Sequence, residues 1–308
     1  MKIDIEERVL HFKQPAGTSR GVYTERRSWF VSVSDGSAVG VGECAPLPDL
    51  SCDARPDYAD ILRGFCDELE RTGEIDYEAM RDYPSMLFGL ETALRSLHSV
   101  EGDLQSPYLL FDTPFSRGEE GIPINGLVWM GNYEEMLARM EQKLEQGFRC
   151  VKLKIGAIDF QQELELLSQY AIHSIEQPIK AGQWAYMSEL CRESPLPIAL
   201  DEELIGVNNP EMKRHMLNII RPRYIILKPS LHGGMMGCRE WISIARDMGI
   251  GSWITSALES NIGLNAIAQF ASDVYGPAIR MPQGLGTGQL FIDNIPMPLE
   301  IRGDKLWI

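Results

Sequence analysis

No stretch of the chain holds the roughly 18 consecutive apolar residues that a membrane-spanning helix needs. Met1 to Val9 alternates charged and apolar residues, so it does not read as a signal peptide. The expected location is therefore cytoplasmic, with no membrane partner. Positive charge is scarce: 29 Lys and Arg against 44 Asp and Glu give a net charge of −15. A surface of that sign argues against nucleic acid and anionic lipid as partners. It does not exclude a small anionic substrate, because a local site can be positive inside an acidic protein. The six cysteines, Cys44, Cys52, Cys66, Cys150, Cys191 and Cys238, include no CxxC pair. They read as reduced thiols rather than zinc ligands or a disulfide framework. Histidine is also scarce, and His98, His173, His215 and His232 have no metal-ligand spacing; each reads as structural. Low-complexity segments and tandem repeats are absent.

What is present divides in two. Residues 1–100 read as an α+β unit, strands first and helices after. Leu10–Lys13, Ser28–Val33 and Val39–Glu43 alternate as strands, with a turn at Ser34–Ser37, and Tyr58–Arg71 and Ser85–Val100 have helical periodicity. Residues 101–120, rich in Gly, Pro, Ser and Asp, read as a linker. From 121 to 289 strands and helices alternate. Strands are expected near Ile124–Trp129, Cys150–Ile155, Ile172–Gln177, Pro197–Asp201, Arg223–Lys228, Gly251–Thr255 and Ala278–Met281. Helices are expected between them, among them Tyr133–Gln146, Trp184–Glu193 and Gly237–Met248. That order argues for a parallel sheet closed into a TIM-type barrel. Residues 290–308, with a strand-like Glu300–Ile308, are expected to return to the first domain.

Four of the strands end in charge: Val151-Lys152-Leu153-Lys154, Ser174-Ile175-Glu176, Ala199-Leu200-Asp201 and Ile226-Leu227-Lys228. Such tips converge on one barrel mouth. Glu176 and Asp201 offer hard oxygen donors suited to Mg²⁺, although a strand-end carboxylate also serves as a helix cap. Lys152 and Lys154, two apart on one strand, point to the same face. Neighbouring charge would lower the pKa of Lys154 and make it a base, whereas a rim lysine beside a structural ion pair is the plainer alternative. Lys228 would face Lys154 across the mouth, where the two could stabilise an enediolate or work as a two-base pair. Ser256 and Ser260, after the Gly251–Thr255 strand, and Gly284 and Leu285, in Gly284–Gly288, are either substrate contacts or ordinary loop residues.

The ordered set KLK, SIEQP, ALDEE and LKPS followed by Gly233-Gly234 resembles the enolase superfamily, and most of all its o-succinylbenzoate synthase branch. Gly42–Pro48, Leu90–Leu94, Ile124–Leu127 and Ile254–Ser260 support it, so the resemblance spans nearly the whole chain. It implies a modified (β/α)7β barrel under an α+β capping domain, with Mg²⁺, or Mn²⁺ in its place, held by Glu176 and Asp201. It also implies dehydration of 2-succinyl-6-hydroxy-2,4-cyclohexadiene-1-carboxylate to o-succinylbenzoate in menaquinone biosynthesis. Lys154 would abstract the α-proton and then protonate the departing hydroxyl, Lys152 would support it, and Lys228 would sit over the enediolate. Loops near Thr18–Thr24 and Pro46–Ser51 would shield the site. An N-acylamino acid racemase or dipeptide epimerase is the alternative within the superfamily, and a catalytically impaired ligand-binding barrel the alternative outside it.

One departure stands out. The family pattern has a further β/α unit, carrying a third metal-binding Asp, between the KxK and EQP strands. Here Gly156–Asp159 and one expected helix from Phe160 to about Tyr170 lead directly to the Glu176 strand. Either a segment is missing from the sequence as read, with its junction between Glu163 and Gln169, or the deletion is real. Flanking motifs that keep the family pattern favour the first. Removing one strand from a barrel leaves a gap or forces a smaller ring.

Overall fold

Alternation near the N-terminus builds a long hairpin. In a computed structural model that describes residues 1–18, 21–101, 106–128, 131–154, 170–277 and 279–308, β1 (Lys2–Thr18) pairs antiparallel with β2 (Gly21–Ser34), and β3 (Val39–Cys44) pairs with β2. The turn between β2 and β3 is closed by Asp35, whose side chain accepts the Ser37 and Ala38 amides. Helix α1 (Tyr58–Thr72) buries Tyr58, Leu62, Cys66 and Leu69 on one face, the spacing of successive helical turns. It stops at Gly73, whose left-handed backbone (φ 78°) lets its amide reach Leu69 O. Helix α2 (Pro84–Glu101) crosses β3 at contact distance: a Cβ on Gly42 would lie 1.9 Å from Gly89 O. Val31, Val33, Leu62, Leu87, Leu90 and Ala93 belong to the resulting core.

The second unit is a ring of parallel staves. β5 (Gly126–Val128) pairs with β6 (Val151–Leu153). Separately, β7 (Ile175–Glu176), β8 (Ile198–Leu200), β9 (Tyr224–Leu227) and β10 (Gly251–Ile254) form one parallel sheet in that order. Two bridges join the pieces, Thr255 with Gly284 and Ile124 with Gln283. The outer layer holds α3 (Tyr133–Glu145), α4 (Trp184–Glu193), α5 (Pro210–Ile220), α6 (Gly234–Asp247) and α7 (Asn261–Tyr275). Local signals set their starts: Asn132 and Glu135 form a capping box on α3, and Asn209 caps α5 with Pro210 at its first position. Residues on β8, β9 and β10, including Leu200, Ile225, Leu227 and Ile254, pack with Trp241 of α6 and Phe270 of α7 in the main core.

The architecture is the expected α/β barrel with an α+β cap, and the break falls where the sequence lacks a unit. Among the described residues no pairing joins β6 to β7. The connecting residues 155–169 lie outside those described, and with them the expected junction between 163 and 169 and most of the Phe160–Tyr170 helix.

Three expectations are corrected. The expected Ala278–Met281 stave is not seen over Ile279–Met281, Ala278 lying outside the described residues; the ladder is instead met at Gln283–Gly284, where Gln283 N donates to Pro123 O and Gly284 N to Ile254 O. Residues 106–120 are not a free linker. Leu110, Phe111 and Phe115 are buried in the barrel core, and Gln269 of α7 accepts the Leu110 amide. Finally, Glu300–Ile308 does not return to the first domain. It forms the hairpin β11 (Glu300–Arg302) and β12 (Lys305–Trp307), and β12 pairs with β4 (Ile122–Pro123). Leu306 then packs into the barrel core, because an apolar side chain there covers the end of the ring. Only the segment before it touches the cap: Ile292 N donates to His11 O, and Lys13 N to Leu290 O.

Candidate active site

The charged strand tips meet. Lys152 on β6 faces Glu176 on β7 across the break, with Nζ 2.5 Å from Oε1. Lys228, the residue after β9, donates to both carboxylate oxygens of Asp201, the residue after β8. Lys154 Nζ donates to Gly17 O at 2.9 Å, so the end of the β1–β2 hairpin touches the mouth. Tyr23 OH donates to Pro48 O, tying that hairpin to the Pro46–Ser51 loop. Both cap segments expected to shield the site therefore converge, although residues 19 and 20 fall outside the described set.

The two carboxylates differ in their electrostatics. Burial would raise Asp201, but the Lys228 and Lys152 ammoniums outweigh it and hold the carboxyl at about 2. Glu176 is shifted up by burial, which Lys152 only partly offsets, and the Asp201 charge adds to the rise. The lysines also differ. Burial pulls Lys228 down, but Asp201 and Glu176 outweigh it and leave its pKa raised. Lys154 is lowered, first by burial and then by the ammoniums of Lys152 and Lys228.

Gln177 organises the acid pair. Its backbone is left-handed (φ 40°), and its Oε1 accepts the amides of Asp201 (3.1 Å) and Glu203 (3.2 Å). Its Nε2 donates to Ile179 O and to Glu203 Oε2, while Glu203 Oε1 accepts the Gly182 amide. The EQP and DEE motifs thus lock together, which fixes the two acids on neighbouring strands.

Each of the four other expected contacts also has a place in the fold. Ser260 caps α7, accepting the Ile262 amide, and its hydroxyl donates to Glu43. The Gly284 amide is spent on Ile254 O, and its lack of a side chain is steric: a Cβ would lie 2.0 Å from Thr255 Oγ1. Leu285 is fully buried in the barrel core. Ser256 is buried, and its hydroxyl is shared with Thr287 at 2.6 Å.

Sequence reasoning missed the seam that seats the cap. Glu43, at the end of β3, accepts the Ser260 and Gly263 amides at the start of α7 and the Ser28 hydroxyl. Glu91 on α2 accepts the Met235 and Met236 amides at the start of α6. Two cap carboxylates thus fill the electropositive ends of two barrel helices. Arg26 donates to Ala45 O and Pro46 O, and Glu259 accepts the Ser230 hydroxyl. The available signal was an acidic residue inside an apolar run at Glu43 and again at Glu91.

The enolase C-terminal domain-like family matches residues 157–283, and the MenC N-terminal domain family matches residues 18–97. An o-succinylbenzoate synthase of Desulfotalea psychrophila is 41% identical, over 100% of this chain and 99% of that protein. The chain belongs to the o-succinylbenzoate synthase family of the enolase superfamily. A second family relative, from Pasteurella multocida, is 25% identical over 80% of this chain and 78% of its own. The crystal structure of MenC from Desulfotalea psychrophila superposes with a TM-score of 0.79 at 36% identity, covering 100% of this chain and 99% of that one. The L-Ala-D/L-Glu epimerase of Bacillus subtilis has a TM-score of 0.77 at 19% identity, covering 100% and 96%, which is a likeness of fold. The span shared with the 41%-identical family member is 373 residues long, and this chain has 308, so that relative carries residues without a counterpart here.

Glu176 and Asp201 were tested as a Mg²⁺ site on their donor chemistry. Both are carboxylates on adjacent strands, of the kind that holds Mg²⁺ together with waters and substrate oxygens. Among the described residues, no group of three or more His, Cys, Asp and Glu side chains is placed to hold a metal. Both acids are ion-paired, Glu176 to Lys152 and Asp201 to Lys228, so a cation here would have to share or displace those ammoniums and complete its shell with water and substrate.

Proposed function

We propose that the chain dehydrates 2-succinyl-6-hydroxy-2,4-cyclohexadiene-1-carboxylate to o-succinylbenzoate, the step its family name denotes in menaquinone biosynthesis. The observation that carries this reading is the different setting of the two lysines: Lys228 donates to both oxygens of Asp201, whereas Lys154 bonds the Gly17 carbonyl of the cap hairpin. Lys154 is held below its ordinary pKa by burial and neighbouring ammoniums, whereas Lys228 is held above it by Asp201 and Glu176. A general base must be free to take a proton, and a fixed cation must keep its own. One base and one fixed cation suit a single-base elimination.

In that reading, Lys154 Nζ takes the proton from the carbon bearing the carboxylate. The electron pair moves onto the carboxylate, giving an enediolate whose charge is met by the Lys228 ammonium; it then returns to form the ring double bond to the neighbouring carbon as that carbon's bond to the hydroxyl breaks. Lys154 then returns its proton to the departing hydroxyl, which leaves as water from the same face, and the ring becomes aromatic. Lys152 keeps the field at Lys154 positive. Glu176 and Asp201 would hold a divalent cation, which when bound would polarise the substrate carboxylate. The hairpin end at Gly17 and the Pro46–Ser51 loop exclude bulk water.

The same asymmetry counts against the racemase or epimerase reading, which needs two bases on opposite faces. The lack of the third metal-binding Asp in the sequence favours a different second reading, a barrel that keeps the family fold and binds a ligand without turnover. One assay separates these readings: ultraviolet detection of o-succinylbenzoate formation with Mg²⁺, with and without chelator, for the intact chain and Lys154→Ala. Chelator-sensitive turnover abolished by Lys154→Ala is expected. Turnover that survives the substitution overturns the role of Lys154, and no turnover by the intact chain favours the binding reading.

A further inference from the structure

His232 has no part in the reaction described above, yet it is almost fully buried beside Lys228. Strand β9 ends at Leu227, and Pro229 cannot extend it because it lacks an amide proton. The amide of Lys228 therefore needs an acceptor outside the sheet. It finds one in the His232 ring, with Lys228 N donating to Nδ1 at 2.8 Å. The Lys228 carbonyl in turn accepts the amides of Leu231 (2.8 Å) and His232 (3.0 Å). Both main-chain polar groups of Lys228 are thus bound by residues three and four positions later.

Nδ1 accepts this bond only as the unprotonated nitrogen of a neutral ring whose proton sits on Nε2. Burial, with the ammoniums of Lys228 and Lys213 nearby, pushes the ring down to about 3, so it stays neutral. The turn is anchored further along as well. Ser230 donates to Glu259, Gly233 and Gly234 are left-handed, and α6 starts on the Glu91 carboxylate. Among these anchors, the imidazole is the side chain bonded directly to the Lys228 backbone.

We infer that His232 is a positioning residue, which fixes the main chain at Lys228 and so aims the lysine's ammonium into the mouth. Lys228 is then held at both ends, by Asp201 at the ammonium and by His232 at the backbone. A long side chain fixed in advance has less freedom to lose when substrate binds. The inference rests on the proposed role of Lys228 as a fixed cation, so its test includes a measurement that needs no turnover.

Three variants form the test. His232→Asn carries an acceptor oxygen at the same distance from Cα as Nδ1. His232→Gln places the same amide one methylene further out, and His232→Leu fills the space without an acceptor. The first measurement is the rate at which a pulse of acetic anhydride labels Lys228, read by peptide mass spectrometry on the folded full chain. Labelling about five- to tenfold faster is expected in the Gln and Leu variants, the worth of one buried hydrogen bond, and near the parent rate in the Asn variant. The second is steady-state kinetics: kcat should fall by a similar factor in the Gln and Leu variants, with KM little changed, and recover in the Asn variant. If Leu does not fold, the Asn–Gln comparison decides alone. Equal labelling across the parent, Asn and Gln proteins overturns the inference. If the parent chain does not turn over, the proposed reaction fails, and the labelling comparison still decides the role of His232.

Discussion

Lys152 Nζ lies 2.5 Å from Glu176 Oε1, and this ion pair spans the break between β6 and β7. It joins two strand ends that no backbone pairing joins among the described residues. Each side chain is mostly covered, with 30% and 27% exposure, so the pair is worth more than a surface contact. Lys152→Ala and Glu176→Ala should each destabilise the fold, and a double-mutant cycle in urea should return a coupling of about 1 kcal/mol. A coupling indistinguishable from zero would show that the pair does not hold the two edges together.

Glu43 should be the more costly single loss. It accepts the amides of Ser260 and Gly263 and the hydroxyls of Ser28 and Ser260, all in a buried seam. Glu43→Ala leaves these donors without their acceptor and should cost on the order of 3 kcal/mol in chemical denaturation. Glu43→Gln, which keeps an acceptor, should cost less. Hydrogen exchange should rise first in the opening turn of α7 for the Ala variant.

Glu91 gives the seam a pH dependence. Burial pushes its carboxyl up to about 7, and the two α6 amides only partly offset this. Below pH 4.5 both folded and unfolded chains keep the proton. Between pH 4.5 and 7 the unfolded chain releases it while the folded chain holds it, so stability falls as pH rises through that window, by on the order of 3 kcal/mol. Asp53, raised to about 6 mainly by burial, adds to the same slope from about pH 4 upward. Denaturation midpoints measured from pH 4.5 to 8 should fall for the parent chain and fall less for Glu91→Gln. An unchanged slope in the variant would refute the assignment.

Asp201 acts with the opposite sign and in a lower window. Its carboxyl is held at about 2 against an ordinary 3.8 because the Lys228 and Lys152 ammoniums overcome its burial. The stabilisation from that shift is present above pH 3.8 and is lost as pH falls through about 2. Asp201→Asn should therefore flatten the acid limb of the stability profile between those values. It should also leave Lys228 buried without its anionic partner, lowering stability at neutral pH.

Gly284→Ala tests the closure of the ring. The new Cβ would lie 2.0 Å from Thr255 Oγ1 and 2.5 Å from Thr255 Cβ, at the point where the last stave meets β10. Thermal unfolding should show a loss of roughly 2–4 kcal/mol, the range for overpacking at a site that cannot relax freely. Combining it with Thr255→Gly should recover part of that loss.

Much of the site was legible because barrel geometry turns a one-dimensional pattern into a place. A charged residue at the end of an apolar strand must emerge at one mouth, so Lys152, Lys154, Glu176, Asp201 and Lys228 could be grouped without coordinates. Gly284 was less legible for a related reason. A glycine-rich loop after a strand looks the same whether its amides face a ligand or, as here, complete the sheet at Ile254. Ser260 looked like a polar loop residue because the carboxylate that claims it comes from Glu43, 217 residues away.

The sequence by itself determined the order of strands and helices, the residues at the strand tips and the absence of a β/α unit. Those features follow from local periodicity and from which residue types end each apolar run. The tertiary structure alone decided which acid pairs with which lysine and how the cap is fastened through Glu43 and Glu91. It also decided that the C-terminal hairpin covers the barrel rather than rejoining the cap. These are contacts between distant segments, set by which buried charges and amides must find partners once the chain is closed, and no local pattern encodes that choice.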